Sequence, residues 1–375
     1  MTTAKLQCRT GEGTRPRGGG RTFGPVGRGA RSSRLLGMGA SPAESGSVTP
    51  WSRRLAGAPI SWGVCEVPDW GRILAPDRVL AEMASLGLRA TELGPVGYLG
   101  ADPADVRRLL SAHGLRAVGG FVPLVLHDPA EWDRSRGEAG RSARMLEEVG
   151  AEVFVTAAVA DERFGRPLAL DSSGWDHLLA GLAELDELCA AHGLRQVLHP
   201  HVGTQVETAQ DVERVLAASE VSWCFDTGHL AVAGVDVVEF AERHAARVGH
   251  VHLKDVRRAI AGPVRAGERT LAQATKDGLF CALGQGDVPV ATVVERLEVA
   301  GYDGWYVLEQ DVAIDRGADL ESVHPADAVA VSLAYLEARG LVLGPGVARG
   351  SIEPEHRRSV QTTRGPAAED RPGSR

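Results

Sequence analysis

Between Ala58 and Gly340 the chain runs eight times from a short apolar stretch into polar residues and then into an amphipathic segment with helical spacing. Strands that alternate with helices build a parallel sheet, because the return from the end of one strand to the start of the next needs a crossover long enough to hold a helix. Eight such units are the number that closes a barrel, so the expected fold is a single (β/α)8 barrel. In that architecture the C-terminal ends of the strands converge on one mouth, and residues remote in sequence meet there.

The expected strands are 58–64, 89–94, 116–124, 152–158, 195–199, 221–226, 249–253 and 305–309. Helices are expected near 76–86, from the Asp102-Pro103 start signal onward, and at 129–149, 173–192, 208–218, 236–246, 288–300 and 325–339. Near-repeats punctuate them: Ser85-Leu86-Gly87-Leu88-Arg89, Ala112-His113-Gly114-Leu115-Arg116 and Ala191-His192-Gly193-Leu194-Arg195. Each reads as helix, glycine stop, strand. One connection breaks the pattern. About thirty residues, 256–287, separate the seventh strand from its helix, far beyond the usual handful. A long loop at the mouth of a barrel is expected to act as a lid or substrate clamp, with a surface excursion or oligomer contact as the alternative.

Flanking segments differ from the barrel. Residues 1–56 and 344–375 are rich in Arg, Gly and Pro without apolar periodicity and are expected to be disordered, which leaves a catalytic domain at 57–343. An organelle transit peptide or a nucleic-acid arm would also be basic, but an extended start, with Met38 as the true initiator, is the simpler reading of the head. Eight of the 41 basic residues but only two of the 49 acids lie in the first fifty positions, so the remainder carries −14. Such an acidic body is a poor partner for a phosphate backbone. No apolar run is long enough to span a bilayer. The five cysteines are scattered and form no CxxC, the usage of a reduced, cytoplasmic protein.

Five of the twelve histidines fall at or just past strands five to seven, the end where a barrel builds its site. The strand ends read Leu198-His199-Pro200-His201, Cys224-Phe225-Asp226-Thr227-Gly228-His229, His250-Val251-His252-Leu253-Lys254-Asp255 and Leu308-Glu309-Gln310-Asp311. Imidazole mixed with carboxylate suits a divalent cation, Mn or Co first, with Zn or Fe as alternatives. The expected ligands are His199, Asp226, His252 and Glu309, one from each of four consecutive strands whose ends lie about 4.8 Å apart. His250 shares a face with His252 and competes with it, but His252 lies nearer the mouth. Asp226 could instead cap a turn, and Glu309 could instead pair with Lys254. Lys254 beside a dication is expected to lose its proton readily and serve as acid or base. Glu92 is placed to grip hydroxyls. Trp62 is either an apolar wall for a sugar-like ring or barrel core.

Several of these runs resemble one family. Ala-Pro-Ile-Ser-Trp-Gly at 58–63, Thr-Glu-Leu-Gly-Pro-Val-Gly-Tyr-Leu at 91–99, Asp-Thr-Gly-His at 226–229 and His-Val-His-Leu-Lys-Asp at 250–255 resemble the xylose-isomerase-like sugar isomerase/epimerase superfamily. With Leu-Gly-Gln-Gly-Asp at 283–287 and Glu-Gln-Asp at 309–311, the likeness is greatest to its inosose dehydratase branch. Ketose epimerases of the superfamily carry Glu-Pro at the end of strand five, where this chain has His199-Pro200.

The resemblance implies a metal-dependent lyase that dehydrates 2-keto-myo-inositol in inositol catabolism. An isomerase, epimerase or β-eliminating enzyme on another keto-sugar or 3-keto-glycoside is the alternative. On that reading Lys254 or Glu309 takes the proton next to the ketone, and His229 or His201 protonates the leaving hydroxyl. Trp62, Glu92, His201, Asp255 and Asp311 contact the substrate. The partner is a small cyclic polyol ketone, without nucleic acid or membrane, and homo-oligomers are left open.

Overall fold

The computed structural model describes residues 51–341 apart from residue 162. Eight parallel strands close into a barrel: β1 (Leu55–Gly57), β2 (Ala90–Glu92), β3 (Arg116–Leu124), β4 (Val153–Ala158), β5 (Arg195–Leu198), β6 (Trp223–Asp226), β7 (Val248–Leu253) and, last in the chain, β10 (Tyr306–Leu308). Around the ring the order is β1-β10-β7-β6-β5-β4-β3-β2. Two further strands, β8 (Asp255–Val256) and β9 (Phe280–Cys281), form an antiparallel pair outside the barrel.

Local chemistry explains the elements. Every residue of β4 is buried, as a strand covered on one face by helices and on the other by barrel core must be. Helices start on side chains that accept from otherwise unpaired backbone N–H groups: Asp102 before Pro103–Ala112, Asp171 before Ser172–Ala191, and Thr208 before Ala209–Ala218, where Asp211 completes a capping box. They stop where a residue turns left-handed; Gly114 (φ 68°) and Gly193 (φ 69°) do so at two of the repeats noted above. Truncating a fully buried core residue such as Leu182 to Ala would cost about 2–5 kcal/mol.

The first unit departs from expectation. Its strand is Leu55–Gly57, upstream of Ala58, and the expected strand residues Pro59–Trp62 form a 3-10 turn. Proline supplies no ladder donor and fixes φ, so Pro59 ends pairing and opens the turn. The ordered barrel therefore begins before residue 57. Arg54, inside the segment expected to be disordered, donates to the backbone oxygens of Tyr302 (3.0 Å) and Gly304 (2.9 Å) and pairs with Glu298. The rest of the two tails lies outside the described residues.

The excursion after β7 is not a bare loop. It folds as β8, two short helices (Arg258–Arg265 and Leu271–Lys276) and β9. Three backbone N–H groups, from Gly284, Gly286 and Val288, donate to the Asp255 carboxylate at 2.9–3.0 Å and tie the end of the excursion to its start. Among the described residues, no helix is long and apolar enough to cross a membrane.

Candidate active site

Register brings the strand ends together. Asp226 pairs with His252 across β6 and β7, and His252 pairs with Val307, two residues before Glu309. His199 follows β5 directly and comes within 3.3 Å (Nε2) of Asp226 Oδ2. His252 Nδ1 lies 2.9 Å from Glu309 Oε2 and 3.5 Å from Asp226 Oδ2. The donor atoms of His199, Asp226, His252 and Glu309 all lie within 4.8 Å of one another. His252, rather than His250, brings a ring nitrogen to this point.

Asp226 has two jobs. Its Oδ1 caps the helix Thr227–Ala233 by accepting from the N–H groups of Gly228 and His229 at 2.8 Å, which holds Oδ2 toward the imidazoles. Glu92 holds a second position. Its Oε1 accepts from His250 Nε2 at 2.9 Å and from His252 Nε2 at 3.0 Å. Anchoring Nε2–H in this way aims the Nδ1 lone pair of His252 at Glu309 and Asp226, the arrangement by which a carboxylate behind a metal-bound imidazole sets its tautomer. So Glu92, placed by sequence at the substrate hydroxyls, serves first to orient histidines.

Buried His252 Nδ1 lies close to Glu309 Oε2 and Asp226 Oδ2, yet makes no well-directed hydrogen bond among the described residues. Burying such a group unsatisfied is costly. Two imidazoles and two carboxylates around one point form a donor set that fits a divalent cation. The charge agrees. Glu92, Asp226, Glu309 and Asp311 are all buried or nearly so, and among the described residues Lys254 is the one buried lysine or arginine paired with them.

Lys254 is 1% exposed and sits among carboxylates, with Nζ 2.8 Å from Glu309 Oε2, 2.8 Å from Asp311 Oδ1 and 3.2 Å from Asp226 Oδ2. Burial would release its proton, but Asp226, Asp311 and Glu309 outweigh burial and hold its pKa well above the usual lysine value. With these carboxylates around it and no cation bound, Lys254 is an ammonium. Its stem lies over Gly228, where a Cβ would come within 2.6 Å of Lys254 Cγ. Thr227 Oγ1 accepts from Lys254 N at 2.9 Å and donates to Lys254 O at 2.7 Å, fixing the backbone at the same point.

The carboxylates differ in their response to burial. Burial alone would raise Glu309, but His252 and Lys254 reverse this and bring it down to about 2. Glu92 is likewise held far below the carboxylate range, since His252 and His250 overcome burial. Asp311 goes the other way, up to about 6, because burial and Glu309 together exceed the pull of Lys254.

Above these residues opens a cavity of about 620 Å³, lined by Glu92, His199, His201, Lys254, Glu309 and Asp311 at its floor. The excursion after β7 contributes one wall through Val264 and residues 267–273. Two expected contacts, Trp62 and Asp255, and one expected acid, His229, do not line it. Trp62 is fully buried, with Nε1 donating to Glu82 at 2.7 Å, and is core rather than cavity wall. Asp255 is spent on the three backbone N–H groups described above. His229 does not line the cavity; it stands behind Lys254, 3.0 Å from Nζ, and burial followed by His201 and Lys254 keeps it neutral. His201 does line the cavity, but burial, His199 and Lys254 lower it to about 3, so it is a neutral imidazole and not a ready acid.

The sequence reading missed Glu66, Phe121 and Gln273, all on the cavity wall. Phe121 sets its ring edge against His199 at 5.7 Å. Its place in alternation on β3 was the available signal. Glu66 and Gln273 lie in connections, where no periodicity marks a side chain as inward.

Residues 80–339 match the family described as xylose isomerase-like TIM barrel. An inosose dehydratase of Geobacillus thermodenitrificans (strain NG80-2) is 34% identical over 275 residues, 70% of this chain and 91% of the relative. The rhizopine catabolism protein MocC of Rhizobium meliloti is 32% identical over 69% of this chain and 82% of its own length. Solved structures share the fold at low identity. The IOLI protein with a bound zinc atom has a TM-score of 0.57 at 14% identity, covering 77% of this chain and 98% of that one. The probable 3-DHS dehydratase AsbF of Bacillus anthracis has a TM-score of 0.57 at 14% identity, covering 76% and 98%. With the closed barrel, the converging strand ends and relatives matched along nearly their whole length, the chain belongs to the xylose isomerase-like TIM barrel family, as an inosose-dehydratase-like enzyme within it.

Proposed function

We propose that the protein dehydrates 2-keto-myo-inositol, or a closely similar cyclic keto-polyol, with the aid of a divalent cation. The observation that carries this reading is the convergence of His199, Asp226, His252 and Glu309 beneath a cavity whose floor also holds Lys254. Relatives named inosose dehydratase supply the substrate class.

A cation held by those four residues, Mn, Co, Zn or Fe, would polarise the ketone and acidify the adjacent C–H. The residues do the rest. In this reading Glu309, on the cavity floor, takes the proton next to the ketone. The Lys254 ammonium keeps its proton at Nζ and faces the oxygen on which negative charge develops. Cleavage of C–H leaves its electron pair in a new C=C; the C–O bond of the next carbon then breaks, and the hydroxide needs a proton to leave as water. Asp311 and His201, also on the floor, hold ring hydroxyls in this reading. Free thiols at Cys65, Cys189, Cys224 and Cys281 agree with a reducing, cytoplasmic setting.

The test is ultraviolet absorbance after mixing metal-loaded protein with 2-keto-myo-inositol, alongside an EDTA-treated control. A conjugated dione signal that disappears with EDTA is the expected result. Bound metal without any dione signal would reject this substrate and move the assignment to isomerisation, epimerisation or elimination on another keto-sugar.

A further inference from the structure

Loss of water from a keto-polyol needs two proton transfers. The carboxylates of the cavity floor each have a histidine or lysine partner: Glu92 has His250 and His252, Glu309 has His252 and Lys254, and Asp311 has Lys254. The connection after β1 brings in another. Glu66 lines the same cavity, half-buried, and among the described residues it pairs with no cation. Its carboxylate accepts from its own backbone N–H.

We propose, resting on the dehydratase reading, that Glu66 is the acid that hands a proton to the departing hydroxyl. The C–O bond breaks with its electron pair on oxygen, the Glu66 proton joins that oxygen as water leaves, and Glu66 is left as a carboxylate. Glu309 meanwhile holds the proton taken from carbon. Exchange of both groups with solvent through the open mouth restores the starting state, and no oxidant or reductant is needed.

The surroundings suit the role. Burial first, then the charges of Glu309, Asp311 and Glu92, push Glu66 up to about 7 against the pull of its own N–H, so it holds a proton near neutrality. Cys65 lies beside it in the chain as a neutral thiol, and Lys254, Arg166 and Arg269 are the cations on the same cavity wall. Glu207, another carboxyl of the wall, is raised by burial but takes its charge neighbour from Asp211 rather than from the floor.

The experiment compares metal-loaded wild type with Glu66→Gln and Glu66→Asp on 2-keto-myo-inositol across pH 5.5 to 9 (roughly the range over which such a carboxyl and its neighbours titrate), with metal content and thermal midpoint as folding controls. Gln keeps the shape and hydrogen bonding but cannot carry the proton. Expected for Glu66→Gln is a kcat lower by about 100-fold, in the range of a lost general acid, with KM changed less than about threefold. The alkaline fall in kcat should vanish with it, and Glu66→Asp should recover part of the rate. A kcat within about threefold of wild type, or a change confined to KM, would overturn the proposal. If wild type itself makes no dione, the dehydratase reading fails separately. Glu66 is then judged by carboxyl infrared difference spectra: a protonated carboxyl that titrates near neutrality and is missing in Glu66→Gln supports a proton carrier, and its absence in wild type overturns one.

Discussion

Glu92 and His252, 160 residues apart in sequence, meet at 3.0 Å, and the carboxylate takes the Nε2–H that would otherwise be free to choose its nitrogen. The other nitrogen, Nδ1, is thereby committed to the side of Glu309 and Asp226. The relationship makes Glu92 a determinant of metal affinity although it is not one of the four converging ligands. Glu92→Gln should weaken binding of Mn or Zn by about 10–100-fold while the barrel stays folded. Calorimetric titration of metal into both proteins checks it; equal affinities would show that the tautomer is set elsewhere.

Lys254 is the ammonium around which Asp226, Glu309 and Asp311 gather. Lys254→Met keeps most of the buried stem and removes the charge. In metal-loaded protein, turnover should fall by about 100-fold or more with metal content retained, as expected for a lost stabiliser of developing negative charge. Without metal the same change leaves carboxylates unpaired and should lower stability by about 3–5 kcal/mol. Turnover equal to wild type would remove Lys254 from the catalytic set.

Gly228 sits in a helix, where alanine is normally the better residue by about 1 kcal/mol. Here the sign reverses. An added Cβ would meet Lys254 Cγ at 2.6 Å and Cδ at 2.8 Å, below any ordinary contact. Gly228→Ala should cost about 1–3 kcal/mol through overpacking and displace Lys254, so thermal midpoint and kcat should fall together. A stabilised, fully active variant would show that the lysine stem has room to move.

Asp255 accepts three backbone N–H groups from residues 284, 286 and 288. Asp255→Ala leaves these donors with no partner at about 1–3 kcal/mol each if they stay buried. The excursion 256–287 should loosen and become the first site of limited proteolysis, with KM raised more than kcat is lowered. Unchanged cleavage kinetics would mean that the hairpin of β8 and β9 holds the excursion without it.

His201 is lowered from 6.5 to about 3, first by burial and then by His199 and Lys254. The folded state thus binds its proton less tightly than the unfolded state. Its contribution to stability is full above about 6.5 and is lost as pH falls from there toward 3. The urea midpoint of wild type should decline more steeply than that of His201→Asn between about pH 6.5 and 4. Parallel curves would show that His201 titrates normally.

Much of this molecule was legible from local order. Alternation of strand and helix, Asp and Thr starts and glycine stops are properties of ten or so neighbouring residues, so the eight units and the strand ends bearing His199, Asp226, His252 and Glu309 could be read in one dimension. The first strand was misplaced because Ala58-Pro59-Ile60-Ser61-Trp62 is as apolar as a strand, and only pairing with β2 and β10 selects the three residues before it. Side-chain direction at the rim was beyond sequence as well. Trp62, Asp255 and His229 lie within a few residues of the mouth, yet the packing of Glu82, the amides of 284–288 and the position of Lys254 turn them away from it. The carboxylate behind His252 comes from β2, and Glu66 of the cavity wall from the loop after β1. Sequence by itself determined which chemical groups stand at the strand ends, because that follows from periodicity; only the closed barrel decided which of them face one another, because contacts across its mouth join residues whose separation along the chain carries no local signal.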